Sequence, residues 1–162
     1  MRRALLPLLA VLAWAAAPGG VSPPAAAQNV TLDNYFRTLK RPDSPNTWLI
    51  APANFVIKPD AVAPVFDAPV AKLRESFRSV MATLEHTEVV AESADGAHIV
   101  ATTPVMRFKD DVRVLFIPVG ERNSTIALYS ASRTGYWDLG ANRRRLEKWL
   151  EEIRNALASG RK

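Results

Sequence analysis

Near the end of this 162-residue chain, the run Ser130-Ala131-Ser132-Arg133-Thr134-Gly135-Tyr136-Trp137-Asp138-Leu139-Gly140-Ala141-Asn142-Arg143-Arg144-Arg145 gathers the residue types that could do chemistry. Four arginines, two serine hydroxyls and an asparagine flank a glycine-punctuated turn that opens a helix. Guanidinium groups grip carboxylates and phosphates through two parallel hydrogen bonds, and a helix start exposes unpaired N–H groups and partial positive charge. Arg133, Asn142, Arg143 and Arg145, with Ser130, Ser132 and the ring of Trp137, are therefore candidates for holding a small anionic ligand. The same stretch supports a second reading, a polar clamp that only pins the turn. Asp138 can cap the helix and offset arginines that oppose the helix dipole. Gly135 and Gly140 allow the backbone of the turn. Asp43 and Asn46, from an upstream turn, belong to the same clamp, and Arg133 can fold back toward Asp138 or Asp43. On a helical wheel Asn142 and Arg143 point toward the sheet, Arg145 flanks the apolar stripe and Arg144 points away. Buried polar groups left unpaired cost about 1–3 kcal/mol each, so inward-facing residues need partners. Both readings stay open on the sequence alone.

Little other chemistry is visible. His86 and His98 are the only histidines, cysteine is absent, and no spacing of metal ligands is present. There is no G-x-S-x-G around a serine and no phosphate-binding glycine loop. Asp110 and Asp111 are expected in a polar turn. No catalytic residue, metal or cofactor is assigned. An enzyme built on this chain would have to use Arg133, Asp138, Asn142 and Arg143 on an anionic substrate. Trp137 either packs against the helix start or stands exposed for a ligand or partner.

These residues need elements to position them. Val70, Leu73, Phe77, Val80, Met81 and Leu84 recur at helical spacing, with Asp67 as cap and Pro69 in the first turn. Leu146, Trp149, Leu150, Ile153 and Leu157 line a last helix from about 139 to 157. Four strands are expected between these helices: 87–93, 97–103, 112–119 and 124–132. Asp95-Gly96 forms a hairpin turn between the first two, and 105–108 extends the second. Trp48-Leu49-Ile50 and residues 54–57 read as short extended pieces. Residues 28–40 either form one helical turn or lie over the core. The expected order is β-α-β-β-β-β-α. It implies a two-layer α+β domain, with a four- to five-stranded antiparallel sheet and two main helices on one face.

The first 27 residues read as a secretory signal peptide. Arg2 and Arg3 precede an apolar run, and Ala25-Ala26-Ala27 suits a signal peptidase. The expected organisation is a leader at 1–27, an extension and turn at 28–47, one domain at 48–158 and a frayed tail at 159–162. Hydrophobic residues make up 48% of the chain and charged ones 23%, which suits a globular domain rather than a disordered one. Ten basic and 11 acidic residues lie between 28 and 120, but nine basic and five acidic between 121 and 162. The positive charge is therefore local, and no nucleic-acid partner is expected. A leader without cysteine points to the periplasm, with no stable membrane span after cleavage.

The run Asp111-Val112-Arg113-Val114-Leu115-Phe116, then residues 130–136 and 138–145, with Pro42-Asp43-Ser44-Pro45-Asn46 upstream, resembles the bacterial and plastid domain-of-unknown-function family 1499. The resemblance covers about residues 41–157. Many members have a cysteine after the Ser-Pro-Asn, where this chain has Thr47, so no role of that cysteine carries over. The family implies no reaction. The functional expectation is an exported, non-enzymatic domain of the cell envelope that binds a small anionic ligand or an envelope protein.

Overall fold

Each strand of the sheet alternates between two faces, and both faces find something to bury them. The computed structural model describes residues 32–160. The expected leader at 1–27 and the last two residues of the tail lie outside the described residues. In chain order the elements are α1 (Leu32–Thr38), β1 (Thr47–Ala51), β2 (Ala61–Val62), α2 (Val70–Met81), β3 (Thr87–Glu92), β4 (Gly96–Thr102), β5 (Lys109–Val119), β6 (Asn123–Ser132) and α3 (Ala141–Ser159). The fold is mixed α+β with one six-stranded sheet in the order β2-β1-β6-β5-β4-β3. Strands β3 to β6 form an antiparallel meander, and β1 returns beside β6.

Helices α2 and α3 cover one face. Leu73, Phe77, Leu146, Trp149 and Ile153 pack on Ile99, Val112, Val114, Phe116, Ile126 and Leu128. Phe77 meets Phe116 edge-to-face, with ring centroids 5.2 Å apart. The opposite face is partly covered by α1, whose Leu32 and Phe36 join Leu49, Ala51, Leu115, Ala127 and Tyr129. The segment before β1 is thus both a helix and a cover for the core.

Several expectations are corrected. The sheet has six strands rather than four or five. Its extra member, β2, pairs parallel with β1 over only two residues, too few to show any periodicity. Residues 54–57 and 105–108 are not strands. In the latter, Arg107 N–H donates to the Thr103 carbonyl and Arg107 has φ 57°, so the chain folds back on itself before β5. Lys109, Asp110 and Asp111 are not a turn but the start of β5, paired with β4 and β6. Pro69, rather than Asp67, occupies the N-cap position of α2, and α3 begins at Ala141 behind a left-handed Gly140. The two main helices share one face as expected, but α1 adds a partial third layer.

Candidate functional site

The β5–β6 register places Asp110 opposite Ser132 and Val112 opposite Ser130. Alternation therefore puts Asp110, Ser130 and Ser132 on the face under α3. One helical turn brings Asn142 and Arg145 to the same side of α3, above them. Asn142 is fully buried. Its Nδ2 donates to the Asn46 carbonyl (2.7 Å) and to Ser132 Oγ (3.1 Å). Its Oδ1 accepts from Arg145 Nη1 at 2.8 Å and from the Ser130 hydroxyl. Both donors and both acceptor sites of the amide are then satisfied. Arg145 reaches on to Asp110, with Nη2 donating to Oδ2 at 2.5 Å, and Asp110 is only 2% exposed. The second carboxylate oxygen of Asp110 is buried with no protein partner among the described residues.

The turn is pinned from two further sides. Asn46 Nδ2 donates to the Gly135 carbonyl at 2.5 Å, and the Asn46 carbonyl accepts from Ser132 N–H. Asp138 accepts from the N–H groups of Gly140 (2.9 Å) and Asn142 (2.8 Å), so it serves the helix start from two residues ahead of the N-cap position. Gly135 and Gly140 both have positive φ, 86° and 75°. Asp43 is exposed and makes none of these hydrogen bonds.

The arginines separate. Arg145, expected to flank the stripe, is the buried one. Arg143, expected inward, is exposed. It donates to Glu147 at 2.8 Å and lies over the Trp48 ring at 5.2 Å from its centroid. Asn142, Leu146, Trp149, Ile153 and Leu157 take the centre of the inward face of α3, and Arg143 falls to its side over Trp48 of β1. Arg133 turns neither to Asp138 nor to Asp43. Strand parity sends it to the other face of the sheet, where it grips Asp111 through Nε (2.8 Å) and Nη2 (2.9 Å). His98 Nε2 lies 2.6 Å from Oδ1 of the same carboxylate, the oxygen that also accepts from Arg133 Nη2. Arg144 donates to the Leu139 carbonyl at 2.8 Å. Ser130, Ser132, Asn142 and Arg145 thus come together with Asn46, while Arg133, Arg143 and Trp137 do not join them.

The Arg133 guanidinium holds the Asp111 carboxyl down to about 2, against the opposing effect of partial burial and with help from His98. A folded-state pKa below the unfolded one contributes stability above the ordinary carboxylate range, and that stability is lost as pH falls through about 2. Asp111 is partly solvent-exposed, so screening should leave about 1 kcal/mol or less. Acid titrations of stability on the native chain and Asp111→Asn should converge toward pH 2 and differ by that amount at neutral pH.

Sequence reading missed Asp110, Asp111 and His98. The signal was present: Asp110, Val112, Val114 and Phe116 share one parity, which extends β5 back to the acidic pair. Trp137, one of the candidates, is 70% exposed, beside Tyr136 at 62% and Leu139 at 80%. Among the described residues no group of three or more His, Cys, Asp or Glu side chains could hold a metal ion. A surface groove of about 470 Å³ lies elsewhere, between the start of α2 and the end of α3.

No curated protein matches the chain. The chain is similar to the crystal structure of TTHA0849 from Thermus thermophilus, at 14% identity over 70% of this chain and 92% of that chain, with a TM-score of 0.29. A likeness of that size carries no argument about site or activity. A family model described as a protein of unknown function, DUF1499, matches residues 21–153, which include every member of the polar network. With most of its length matched, the chain belongs to the DUF1499 family.

Proposed function

We propose that this chain is an exported domain of the cell envelope that works by binding rather than by catalysis, through the loop between β6 and α3. The carrying observation is the outward display of Tyr136, Trp137 and Leu139 on a loop whose roots are held by Asn46, Asp138 and Asn142. Holding large apolar side chains in water forgoes about 1.5–3 kcal/mol of burial for each. Leu139 is also held at φ 52°, a left-handed conformation that costs a branched apolar residue about 1–2 kcal/mol. A pinned, strained and apolar loop keeps that burial in reserve for a partner. The arginines that could have gripped a small anion support this reading from the other side. Arg133, Arg143 and Arg145 each already hold a carboxylate of the same chain. The leader in the sequence supports export.

Leu139→Asn separates binding from folding. Asparagine tolerates the left-handed region, so stability should hold or rise by up to about 1 kcal/mol. Co-sedimentation of the domain with whole envelope membranes should fall for the same variant, and should be lost for Trp137→Ser. Equal sedimentation of native and Trp137→Ser chains, or none at all, would remove this loop from function.

A further inference from the structure

A second loop lies at the same end of the sheet. Residues 103–108 join β4 to β5, and the first residue of β5 is tied to the far end of β6 by the Arg133 N–H to Lys109 carbonyl bond at 3.0 Å. This loop is also closed on itself. The Thr103 hydroxyl accepts from Phe108 N–H at 2.9 Å, and Thr103 N–H donates to the Phe108 carbonyl at 2.8 Å. It too turns apolar side chains outward: Val105 is 87% exposed, Met106 64% and Phe108 48%. Two closed loops from neighbouring strands therefore project aliphatic and aromatic groups from one end.

Cations stand among them. Arg107, Lys109 and Arg144 have no acidic side-chain partner among the described residues. The acids of this end are mostly engaged: Asp110 by Arg145, Asp111 by Arg133, Asp138 by the helix start and Glu147 by Arg143. Asp43 is exposed beside the turn, Glu85 is exposed on the loop before β3, and Glu88 shares a shallow cleft with Arg107 and His86 at the β3 edge. The other exposed valines lie elsewhere: Val56, Val62 and Val65 in or around β2, Val89 and Val90 in β3, and Val119 at the end of β5.

Resting on the binding reading above, we infer that the partner is an anionic phospholipid surface, entered by the tips of both loops. Tryptophan and tyrosine favour the boundary between headgroups and acyl chains, and Met106, Val105 and Leu139 are the groups to pass below it. Arg107, Lys109 and Arg144 are then level with the phosphates, where each cation is worth about fivefold in affinity. Protruding tips rather than a groove suit a deformable surface. No described helix is long and apolar enough to cross a membrane.

The test uses the chain as it is expected to stand after removal of the leader, residues 28–162. Co-sedimentation is measured with protein-free vesicles of phosphatidylcholine alone and of phosphatidylcholine mixed with phosphatidylglycerol. Binding should be on the order of tenfold or more tighter to the anionic vesicles and should weaken with salt. Trp137→Ser and Met106→Ser should each weaken it several-fold without lowering the melting temperature. Arg107→Glu should remove most of the preference for the anionic lipid. Lys72→Glu, at the start of α2 and the opposite end of α3, should change nothing. An equal loss with Lys72→Glu would mean unspecific charge attraction and overturn the site. Binding to envelope membranes but not to protein-free vesicles would overturn the lipid assignment in favour of a protein partner and leave the binding loop standing. Binding to neither would overturn both.

Discussion

Replacing Arg145 with alanine should destabilise the domain by about 3–5 kcal/mol, the largest effect expected from any residue of the motif. Among the described residues Arg145 is the only cation on Asp110, whose side chain is 2% exposed and whose second oxygen already has no protein partner. Truncation would leave a carboxylate in the interior with neither counter-charge nor water. It would also take a donor from Asn142 Oδ1 and from Ser130 Oγ. In a domain of this size the loss corresponds to roughly 10–20 °C in melting temperature. Urea denaturation followed by circular dichroism checks it. Asp110→Asn combined with Arg145→Met should recover much of the stability, because a neutral pair no longer strands a charge. A small-anion site makes the opposite forecast. Arg145→Ala would then leave stability nearly unchanged, and phosphate would raise the melting temperature of the native chain but not of the variant. A change in stability below about 1 kcal/mol would therefore return the cluster to ligand binding.

Gly96→Ala should cost about 3 kcal/mol or more, although Gly96 lies far from the motif. The Asp95-Gly96 pair does mark a hairpin, with Ser93 N–H donating to the Gly96 carbonyl at 2.8 Å. The glycine is not needed for a left-handed turn. Gly96 already belongs to β4, opposite Leu115, and a Cβ there would stand 1.9 Å from the Val114 carbonyl oxygen and 2.9 Å from Leu32 Cδ1. Leucine can rotate away, but a carbonyl in the middle of a strand cannot. The expected result is a lowered urea midpoint together with early loss of α1, whose Leu32 covers this spot. Gly120, which has φ 70° and nothing near its missing Cβ, is the control. Gly120→Asn should cost much less, since asparagine accepts that backbone. Equal losses at the two positions would mean that conformation rather than close approach governs Gly96.

Periodicity alone was enough for α2, α3 and the four-strand run, because Leu73, Phe77 and Val80, or Leu146, Trp149 and Ile153, repeat at the spacing of one buried face. The glycines and Asp138 marked the turn itself, since caps and turns are local physics, whereas Asn46 reaches Asn142 from 96 residues away. Strand β2 could not be read, because two residues have no period and their pairing with β1 depends on the chain returning to that edge. The assignment of each arginine could not be read either. Arg133, Arg143 and Arg145 are equally charged and lie within 13 residues of one another. Which acid Arg133 and Arg145 meet follows from strand parity and from the rotation of α3 over the sheet, whereas Arg143 pairs with Glu147 one turn on in its own helix. Parity sends Arg133 through to Asp111 on the far face, and rotation drops Arg145 onto Asp110 while leaving Arg143 over Trp48. The sequence by itself determined the family, the two main helices and the meander. Only the tertiary structure decided that Arg133 and Arg145 close on the two acids of β5 while the apolar residues of the turn face outward, because pairing across a sheet is set by register between segments about 20 to 35 residues apart, beyond the reach of local preference.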